Sequence, residues 1–172
     1  MWYKNATKLI ESQFIVYVTR CLLGFVIGYL LTLAFPKFDL FWTLLTIILV
    51  ISPEEDQARK LSIERFKSNF IGSISGLLVF FLPLEDVYKV IIGIVLACFI
   101  CKLFNLLNVA RSAIVALIII LIEHKNDVIF SPVARFLAVA VGCIIGLGVT
   151  LTTSSLLKFL SNVIRIKKIR DE

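Results

Sequence analysis

The stretch RFKSNFIGSISG, residues 65–76, decides the fold because its pattern occurs twice in the chain. An Arg-Phe pair and two glycines recur after 70 residues, first as Arg65-Phe66, Gly72 and Gly76 and then as Arg135-Phe136, Gly142 and Gly146. Seven and eleven residues are close to two and three helical turns, so each arginine shares a helix face with its two glycines. Each Gly-x-x-x-Gly pair lies in an apolar run, where it lets two helix backbones approach closely. The pattern predicts two tightly packed membrane helices, each with a basic residue near its start.

The amino-acid composition is that of a membrane protein. Hydrophobic residues make up 59% of the chain and charged residues 17%, and the mean hydropathy is +0.98. These values exclude an ordinary soluble domain. The apolar runs are long and the charges lie between them, which predicts an all-α polytopic membrane protein with its backbone polar groups satisfied within each helix. The net charge of +6 therefore indicates membrane topology, and we expect no nucleic-acid partner.

We predict six short transmembrane helices in one domain, residues 1–172. Their predicted bounds are about residues 14–35, 40–52, 67–82, 87–104, 109–122 and 133–157. The four prolines, at positions 36, 53, 83 and 132, all lie at these boundaries. Residues 1–13 are predicted to form an amphipathic lead-in, and residues 53–64 an interfacial helix or loop. Ser131 followed by Pro132 predicts the N-cap and the first residue of the last helix.

The basic residues predict the orientation of the helices. With six spans and a cytoplasmic N-terminus, 14 of the 18 Lys and Arg residues fall on the inner side and 4 fall outside. This bias places both termini in the cytoplasm. The 70-residue displacement maps one half, about residues 14–82, onto the other, about residues 87–157. Each half has three spans, so the second half must cross the membrane in the opposite sense. We therefore predict an inverted 3+3 repeat, an architecture common among transporters.

Four arginines are candidates for an anion path. In the predicted topology Arg65 opens its helix from the inner side and Arg135 opens the counterpart from the outer side. Both lie near helix N-termini, whose dipoles add positive potential, so the two mouths favour anions. Arg20 and Arg111 are further candidates on the inner side. The alternative is that these arginines anchor the helices at the lipid headgroups.

Three glycine pairs are predicted to pack helices against one another, namely Gly24 and Gly28, Gly72 and Gly76, and Gly142 and Gly146. For Phe66 and Phe136 three interpretations are open: contact with an aromatic ring of a ligand, packing between helices, or placement at the membrane interface.

The residue types needed for metal binding or catalysis are sparse. The four cysteines lie in apolar runs and are expected to be small packing residues, so we predict no metal site and no cofactor. Glu123, His124 and Asp127 share one polar loop, and both proton coupling and simple solvation are open for them. The sequence lacks a pattern typical of a catalytic site, so we do not expect an enzyme.

Four segments resemble the fusaric acid resistance, or aromatic acid exporter, family. They are FPKFDLFWTLLTIILVISPEED at 35–56, RFKSNFIGSISGLL at 65–78, NVARSAIVALIIILIEH at 108–124 and VARFLAVAVGCIIGLGV at 133–149. The resemblance covers about residues 10–160 and implies an inner-membrane module for export of aromatic carboxylic acids. The chain is also similar to the membrane portion of plant aluminium-activated malate channels, which are dimers that conduct organic anions. The arginines and glycines of the 70-residue repeat match the family pattern.

Two functions are open at this point. The first is an inner-membrane transporter or channel for organic, aromatic carboxylate-like anions, acting in the lipid bilayer of a bacterium. It would be a homodimer or a larger homo-oligomer, with a periplasmic adaptor or another membrane protein as a candidate partner. The second is a non-transporting membrane interaction protein, such as an accessory subunit, an anchor or an immunity-type protein. The glycine pairs fit both functions, and a measurement of anion flux distinguishes them.

Overall fold

The computed structural model is a bundle of helices. It describes the backbone of residues 2–35, 40–123 and 130–170, with side chains over residues 13–35, 40–122 and 132–159. Within these ranges there are six α-helices and no strand: α1 Trp2–Ala34, α2 Phe41–Val50, α3 Glu55–Phe80, α4 Asp86–Leu103, α5 Ala110–Glu123 and α6 Phe130–Arg170. A 3₁₀ turn, Leu107–Val109, precedes α5. The prediction of an all-α chain with six helices is confirmed.

The bounds of α2, α4 and α5 lie within two residues of the predicted ones. Pro53 and Pro83 lie between helices, because a proline inside a helix removes a backbone hydrogen bond and clashes with the preceding turn. The predicted turn after α4 is present and includes Asn105, whose φ of 53° is in the left-handed region that asparagine tolerates better than most residues. The predicted turn at residues 36–39 lies outside the described residues.

Helices α1, α3 and α6 extend beyond the predicted spans. The membrane-capable segments of α1 and α6, Gln13–Ala34 and Pro132–Phe159, agree with the predicted spans at about 14–35 and 133–157, whereas the predicted start of α3 at about residue 67 is wrong. The predicted lead-in at residues 1–13 is part of α1 from Trp2 onward, and α6 continues to Arg170. Residues 55–64 are not a separate interfacial segment but the first turns of α3. No Pro or Gly interrupts α3 before Gly72. The acidic residues of its first turn interact favourably with the positive end of the helix dipole and stabilise this start of the helix. Ser131 is not the N-cap, since α6 already includes Phe130.

Two helical segments are long and apolar enough to cross a membrane. They are Gln13–Ala34, with 22 residues and a mean hydropathy of 2.0, and Pro132–Phe159, with 28 residues and a mean hydropathy of 2.1. The apolar segments Phe41–Val50 and Leu107–Ile122 are shorter. Length and composition thus identify two membrane-capable helices among the described residues.

Large apolar side chains cover the outer surface of the bundle. On α1 they include Phe14, Ile15, Leu22, Phe25, Val26, Tyr29, Leu30 and Leu33, and on α4 they include Val87, Tyr88, Ile91, Val95, Phe99 and Leu103. A soluble monomer rarely exposes continuous apolar faces of this extent. An apolar surface of this kind suits contact with lipid chains.

Helix α3 lies at the centre, packed against α4, α5 and α6. It runs antiparallel to α6, as a reciprocal contact shows: the Ser62 hydroxyl donates to the Cys143 carbonyl (3.4 Å) and the Cys143 thiol donates to the Ser62 carbonyl (3.5 Å). At the start of α3, Glu55 pairs with Lys158, which lies further along α6. From Glu55 to Ser62 the residue numbers rise along α3, while those of their partners fall from Lys158 to Cys143 along α6. The two helices therefore run in opposite directions.

The first glycine of each repeated pair makes a matching contact with a different helix. A methyl group placed on Gly72 would lie 2.7 Å from the Ala113 carbonyl oxygen on α5. One placed on Gly142 would lie 2.8 Å from the Thr43 carbonyl oxygen on α2. Ala113 and Thr43 are 70 residues apart, as Gly72 and Gly142 are. Glycine is required at both positions, because any side chain would collide with the backbone of the neighbouring helix.

The second glycine of each pair repeats the relation. A methyl group on Gly76 would lie 3.3 Å from the Ile120 side chain on α5, and one on Gly146 would lie 3.2 Å from the Val50 side chain on α2. Ile120 and Val50 are again 70 residues apart. In both helix pairs the residue numbers rise together, so α3 runs parallel to α5 and α6 runs parallel to α2.

Candidate functional site: arginines and aromatic rings between α2, α3 and α6

The two Arg-Phe pairs of the repeat meet at the contact between α3 and α6. The ring centroids of Phe66 and Phe136 are 5.1 Å apart, with 58° between the ring planes. The ring centroid of Phe70, one turn after Phe66, lies 5.5 Å from the ring centroid of Phe136. These tilted arrangements are typical of attractive aromatic pairs. The two phenylalanines of the repeat therefore pack against each other.

Arg135 is buried beside this aromatic cluster. Its side chain is 6% exposed, and its guanidinium carbon lies 3.6 Å from the ring centroid of Trp42 on α2. A guanidinium stacked on an indole face gains a cation–π attraction, which is stronger where water is excluded. Trp42 also packs edge-on against Phe41, with the ring centroids 5.4 Å apart. A permanent positive charge is thus held among aromatic rings within the bundle.

Arg65 is next to Phe66 on α3, at the same contact between α3 and α6. Its side chain is half-buried, and Arg65 lies one turn after Ser62, whose hydroxyl donates to the Cys143 carbonyl on α6. Because α3 begins at Glu55, Arg65 lies well inside the helix and not at its N-terminal mouth, where the helix dipole acts. The structure therefore places Arg65 and Arg135 along one seam between α3 and α6.

Arg20 has a different environment, since its side chain is 2% exposed and is enclosed by hydrogen bonds. Nη1 donates to the carbonyl oxygens of Ser52 (2.6 Å) and Pro53 (2.9 Å) after α2. On α6, Nε donates to the Thr153 hydroxyl (2.9 Å) and Nη2 to the Ser154 hydroxyl (2.6 Å). These hydrogen bonds link α1 to α6 and to the residues after α2 at one end of the bundle, so they indicate a structural role for Arg20.

An ion pair lies beside Arg20 at this end. The Lys158 ammonium donates to a Glu55 carboxylate oxygen at 2.6 Å, and this bond holds the pKa of Glu55 below its usual value. Glu55, Lys158 and Arg20 line a cavity of about 260 Å³ together with Gln13, Val16, Pro53, Ser154 and Leu157. The carboxylate lies beside both cations, so the cavity is not purely electropositive.

The remaining candidates are not brought to the seam. Arg111 is exposed on α5. The side chains of Glu123, His124 and Asp127, considered for proton coupling, lie outside the described residues. Among the described side chains, no three His, Cys, Asp or Glu come together in a group able to hold a metal ion.

Sequence reasoning missed Trp42 as a site residue. The signal was present, because Trp42 follows Phe41 in the aromatic pair of the family-like segment at 35–56. Its contact with Arg135 joins residues 93 positions apart, and no periodicity within either helix indicates such a pair. The same holds for Thr43, whose hydroxyl donates to the Ala138 carbonyl at 2.9 Å and ties α2 to α6.

The fold is that of a helical protein with two helices long and apolar enough to cross a membrane, as in the membrane-associated class. Within that class, the chain belongs to the fusaric acid resistance protein-like family, whose model matches residues 22–149, well over half of the chain. The family suggested by the sequence is confirmed. No curated protein and no solved structure matches the chain.

Proposed function

We propose that this protein is an inner-membrane transporter or channel for organic anions of the aromatic carboxylate type. The observation that carries the proposal is the buried Arg135 guanidinium, stacked on Trp42 beside the Phe66–Phe136 pair. A cation among aromatic rings offers a charge to a carboxylate and apolar surface to the ring that bears it. Membership of a transport-related family supports the same function.

Arg135 and Arg65 suit an anion path because a guanidinium remains charged even when it is buried. The planar guanidinium also matches the geometry of a carboxylate, to which it can donate two parallel hydrogen bonds. Arg65 and Arg135 are the chain neighbours of Phe66 and Phe136, whose rings are in contact across α3 and α6.

We further propose six membrane crossings arranged as an inverted repeat, with both termini in the cytoplasm. Two sets of contacts support this arrangement. Gly72 of α3 against α5 and Gly142 of α6 against α2 make equivalent contacts, related by the 70-residue displacement. The pairs α3–α6 and α2–α6 are antiparallel and parallel respectively, as expected of helices that alternate in direction along the chain. The positive-inside count supplies the orientation.

Assembly into a homodimer or larger homo-oligomer is part of the proposal. A methyl group on Gly148 would meet no atom within 4 Å, unlike one on any of the seven other glycines. An open groove on the same side of α6 is lined by Leu151, Thr152, Ser155, Leu156 and Phe159. Small residues on an open helix face allow a close contact with another membrane helix. A periplasmic adaptor is a further proposed partner, and we propose no catalytic role.

The second candidate is a non-transporting membrane interaction protein. The observation in its favour is the tight packing of the bundle, in which Gly72 and Gly142 leave no space for even one methyl group. The Arg20 hydrogen bonds also tie one end of the bundle together. A chain with this rigidity suits a structural subunit or an anchor as well as a transporter.

Anion flux in proteoliposomes tests the proposal. Wild type should carry benzoate at a defined membrane potential, and Arg135→Gln should lower that flux by about tenfold or more, given the strength of charge-assisted hydrogen bonds. Arg135→Lys keeps the charge but loses the planar donor fork, so it should recover part of the flux. The exposed Arg111→Gln is the matched control and should retain wild-type flux per folded protein. Absence of benzoate flux in wild type would favour the interaction protein.

A further inference from the structure

A second cavity lies at the opposite end of α3 from the cavity beside Arg20. Its volume is about 240 Å³, and it is lined by Phe80 at the end of α3, Asp86 and Lys89 at the start of α4, and Leu121 near the end of α5. Helix α3 begins with Glu55 at the cavity beside Arg20 and ends with Phe80 at this one. In the proposed topology the second cavity faces outside. We refer to it as the outer cavity and to the one beside Arg20 as the inner cavity.

The two cavities have equivalent positions in the two halves of the 70-residue repeat. Val16 of the inner cavity corresponds to Asp86 of the outer cavity. Arg20 of the inner cavity corresponds to Val90, the chain neighbour of Lys89. Each cavity therefore contains a cation from the same part of its half, on α1 in one and on α4 in the other.

The two cations have different surroundings. Arg20 is enclosed by its hydrogen bonds to the residues after α2 and to α6. Lys89 is half-buried, and its Nζ lies 5.1 Å from the ring centroid of Phe80, a cation–π contact. The Lys89 ammonium makes no hydrogen bond or ion pair with any described residue. Its three N–H donors therefore remain available to a ligand in the outer cavity.

Neither membrane topology nor helix stability accounts for Lys89. In the proposed topology it is on the outer side, where only 4 of the 18 Lys and Arg residues fall. It is also in the first turn of α4, which begins at Asp86, and the dipole disfavours a cation at this end of a helix. A negatively charged ligand offsets both effects.

The residues of the outer cavity define the class of this ligand. Lys89 supplies one positive charge, and Phe80 and the buried Leu121 supply apolar surface. The Asp86 carboxylate has an interaction of its own, and its charge opposes a second negative charge on the ligand. The cavity is smaller than the pockets of about 300–1,000 Å³ that hold drug-sized ligands. These features suit a monocarboxylate with a single ring.

We propose that the outer cavity is a binding site for an aromatic monocarboxylate, in which Lys89 pairs with the carboxylate. The ring of the ligand lies against Phe80 and Leu121. This inference rests on the proposed function and deepens it, because it names a place where the transported anion binds at the outer side. The inner cavity lacks this role, since the donors of Arg20 are held by the protein itself.

Substitutions of Lys89 test the charge pair through benzoate flux in proteoliposomes. Lys89→Gln should raise the half-saturating outer benzoate concentration about tenfold, because charge-assisted hydrogen bonds are lost. Lys89→Arg keeps the charge and should stay within about threefold of wild type. Phe80→Leu should have a smaller effect than Lys89→Gln, since it removes apolar contact alone. Lys102→Gln, which changes an exposed lysine at the other end of α4, is the matched control and should have no effect.

Phthalate tests the contribution of Asp86. This anion has the benzoate ring with a second carboxylate, so the charge of Asp86 should make its half-saturating concentration higher than that of benzoate. Asp86→Asn should narrow the difference between the two anions. An unchanged difference in Asp86→Asn would overturn the role of Asp86 in ligand selection.

A cysteine in the outer cavity reports on binding without flux. In a chain whose four native cysteines are replaced by alanine, Asp86→Cys places a single thiol in the cavity lining. Benzoate should slow its reaction with an impermeant thiol reagent, with the same half-saturation as the flux, and Lys89→Gln should remove this protection. Benzamide, which has the same ring without the charge, should not protect at these concentrations. The vesicles are phosphatidylcholine with or without phosphatidylglycerol.

The outcomes distinguish this inference from the proposed function. Flux with a wild-type half-saturation in Lys89→Gln, and no protection of the thiol, would overturn the site and leave transport standing. Protection without flux would support the site and overturn transport, and the absence of both in wild type would overturn both. Protection by phosphatidylglycerol in the absence of benzoate would assign the cavity to a lipid headgroup and overturn the inference. A lower melting temperature in Lys89→Gln with unchanged half-saturation would give Lys89 a packing role against Phe80 only.

Discussion

Alanine substitutions at Gly142 and Gly148, both on α6, should have opposite effects on stability. A methyl group on Gly142 would lie 2.8 Å from the Thr43 carbonyl oxygen and 2.7 Å from the Thr46 β-carbon. Neither neighbour can move away alone, because one is backbone and the other is the branch point of a β-branched side chain. Helices α2 and α6 must therefore separate. A methyl group on Gly148 meets no atom within 4 Å.

The size of the difference follows from two terms. Overpacking costs about 1–3 kcal/mol. Replacement of glycine by alanine within a helix stabilises it by roughly 0.5–1 kcal/mol. Both variants gain the helix term, so their difference isolates the contact and should be about 1–3 kcal/mol in favour of Gly148→Ala. For a chain of this length the melting temperatures should differ by about 2–12 °C.

Thermal unfolding of the purified variants in one detergent measures this difference. We expect Gly142→Ala to melt below wild type and Gly148→Ala at or above it. Gly72→Ala should resemble Gly142→Ala, because a methyl group there lies 2.7 Å from the Ala113 carbonyl oxygen. Oligomer size is measured for each variant, since Gly148 lies on the proposed oligomer face. Equal melting temperatures for Gly142→Ala and Gly148→Ala would refute the close contact between α2 and α6.

Three further predictions concern the charged residues and the topology. Arg20→Gln should destabilise the fold by about 3 kcal/mol in thermal unfolding, because charge-assisted hydrogen bonds are lost; normal stability with reduced anion flux would instead make Arg20 part of the path. The pKa of Glu55 is lowered in the folded protein, so its ion pair with Lys158 stabilises the fold at pH values above the ordinary pKa of 4.5. This stabilisation is lost as the pH falls through the pKa of Glu55 in the folded protein. Glu55→Gln should therefore flatten the acid side of the stability–pH curve, and Lys158→Gln should do the same; an unchanged curve in both would contradict it. Single cysteines at positions 86 and 126 should react with an impermeant reagent from outside and those at positions 60 and 168 from inside. Labelling of positions 60 and 126 from the same side would rule out the inverted repeat.

The sequence was sufficient for the class of fold and for several helix boundaries. Turn signals and prolines predicted α2, α4 and α5, because these residues end a helix through local backbone effects that are visible in the sequence. The family followed from the order of four segments and is confirmed by a match over residues 22–149. The bounds of α3 were wrong, since a change from polar to apolar residues does not end a helix that lacks a proline or glycine.

The tertiary structure decided what the arginines contact. Four arginines in similar apolar contexts have different environments: Arg20 ties three helices together, Arg135 stacks on Trp42, Arg65 is half-buried on α3 and Arg111 is exposed. Local sequence determines the face of a helix on which a residue lies, through the 3.6-residue period. The neighbours of that face come from other helices, often more than 90 residues away, and depend on how all six helices pack. The glycine pairs therefore predicted close helix contacts, but only the packed bundle shows that Gly72 meets α5 and Gly142 meets α2.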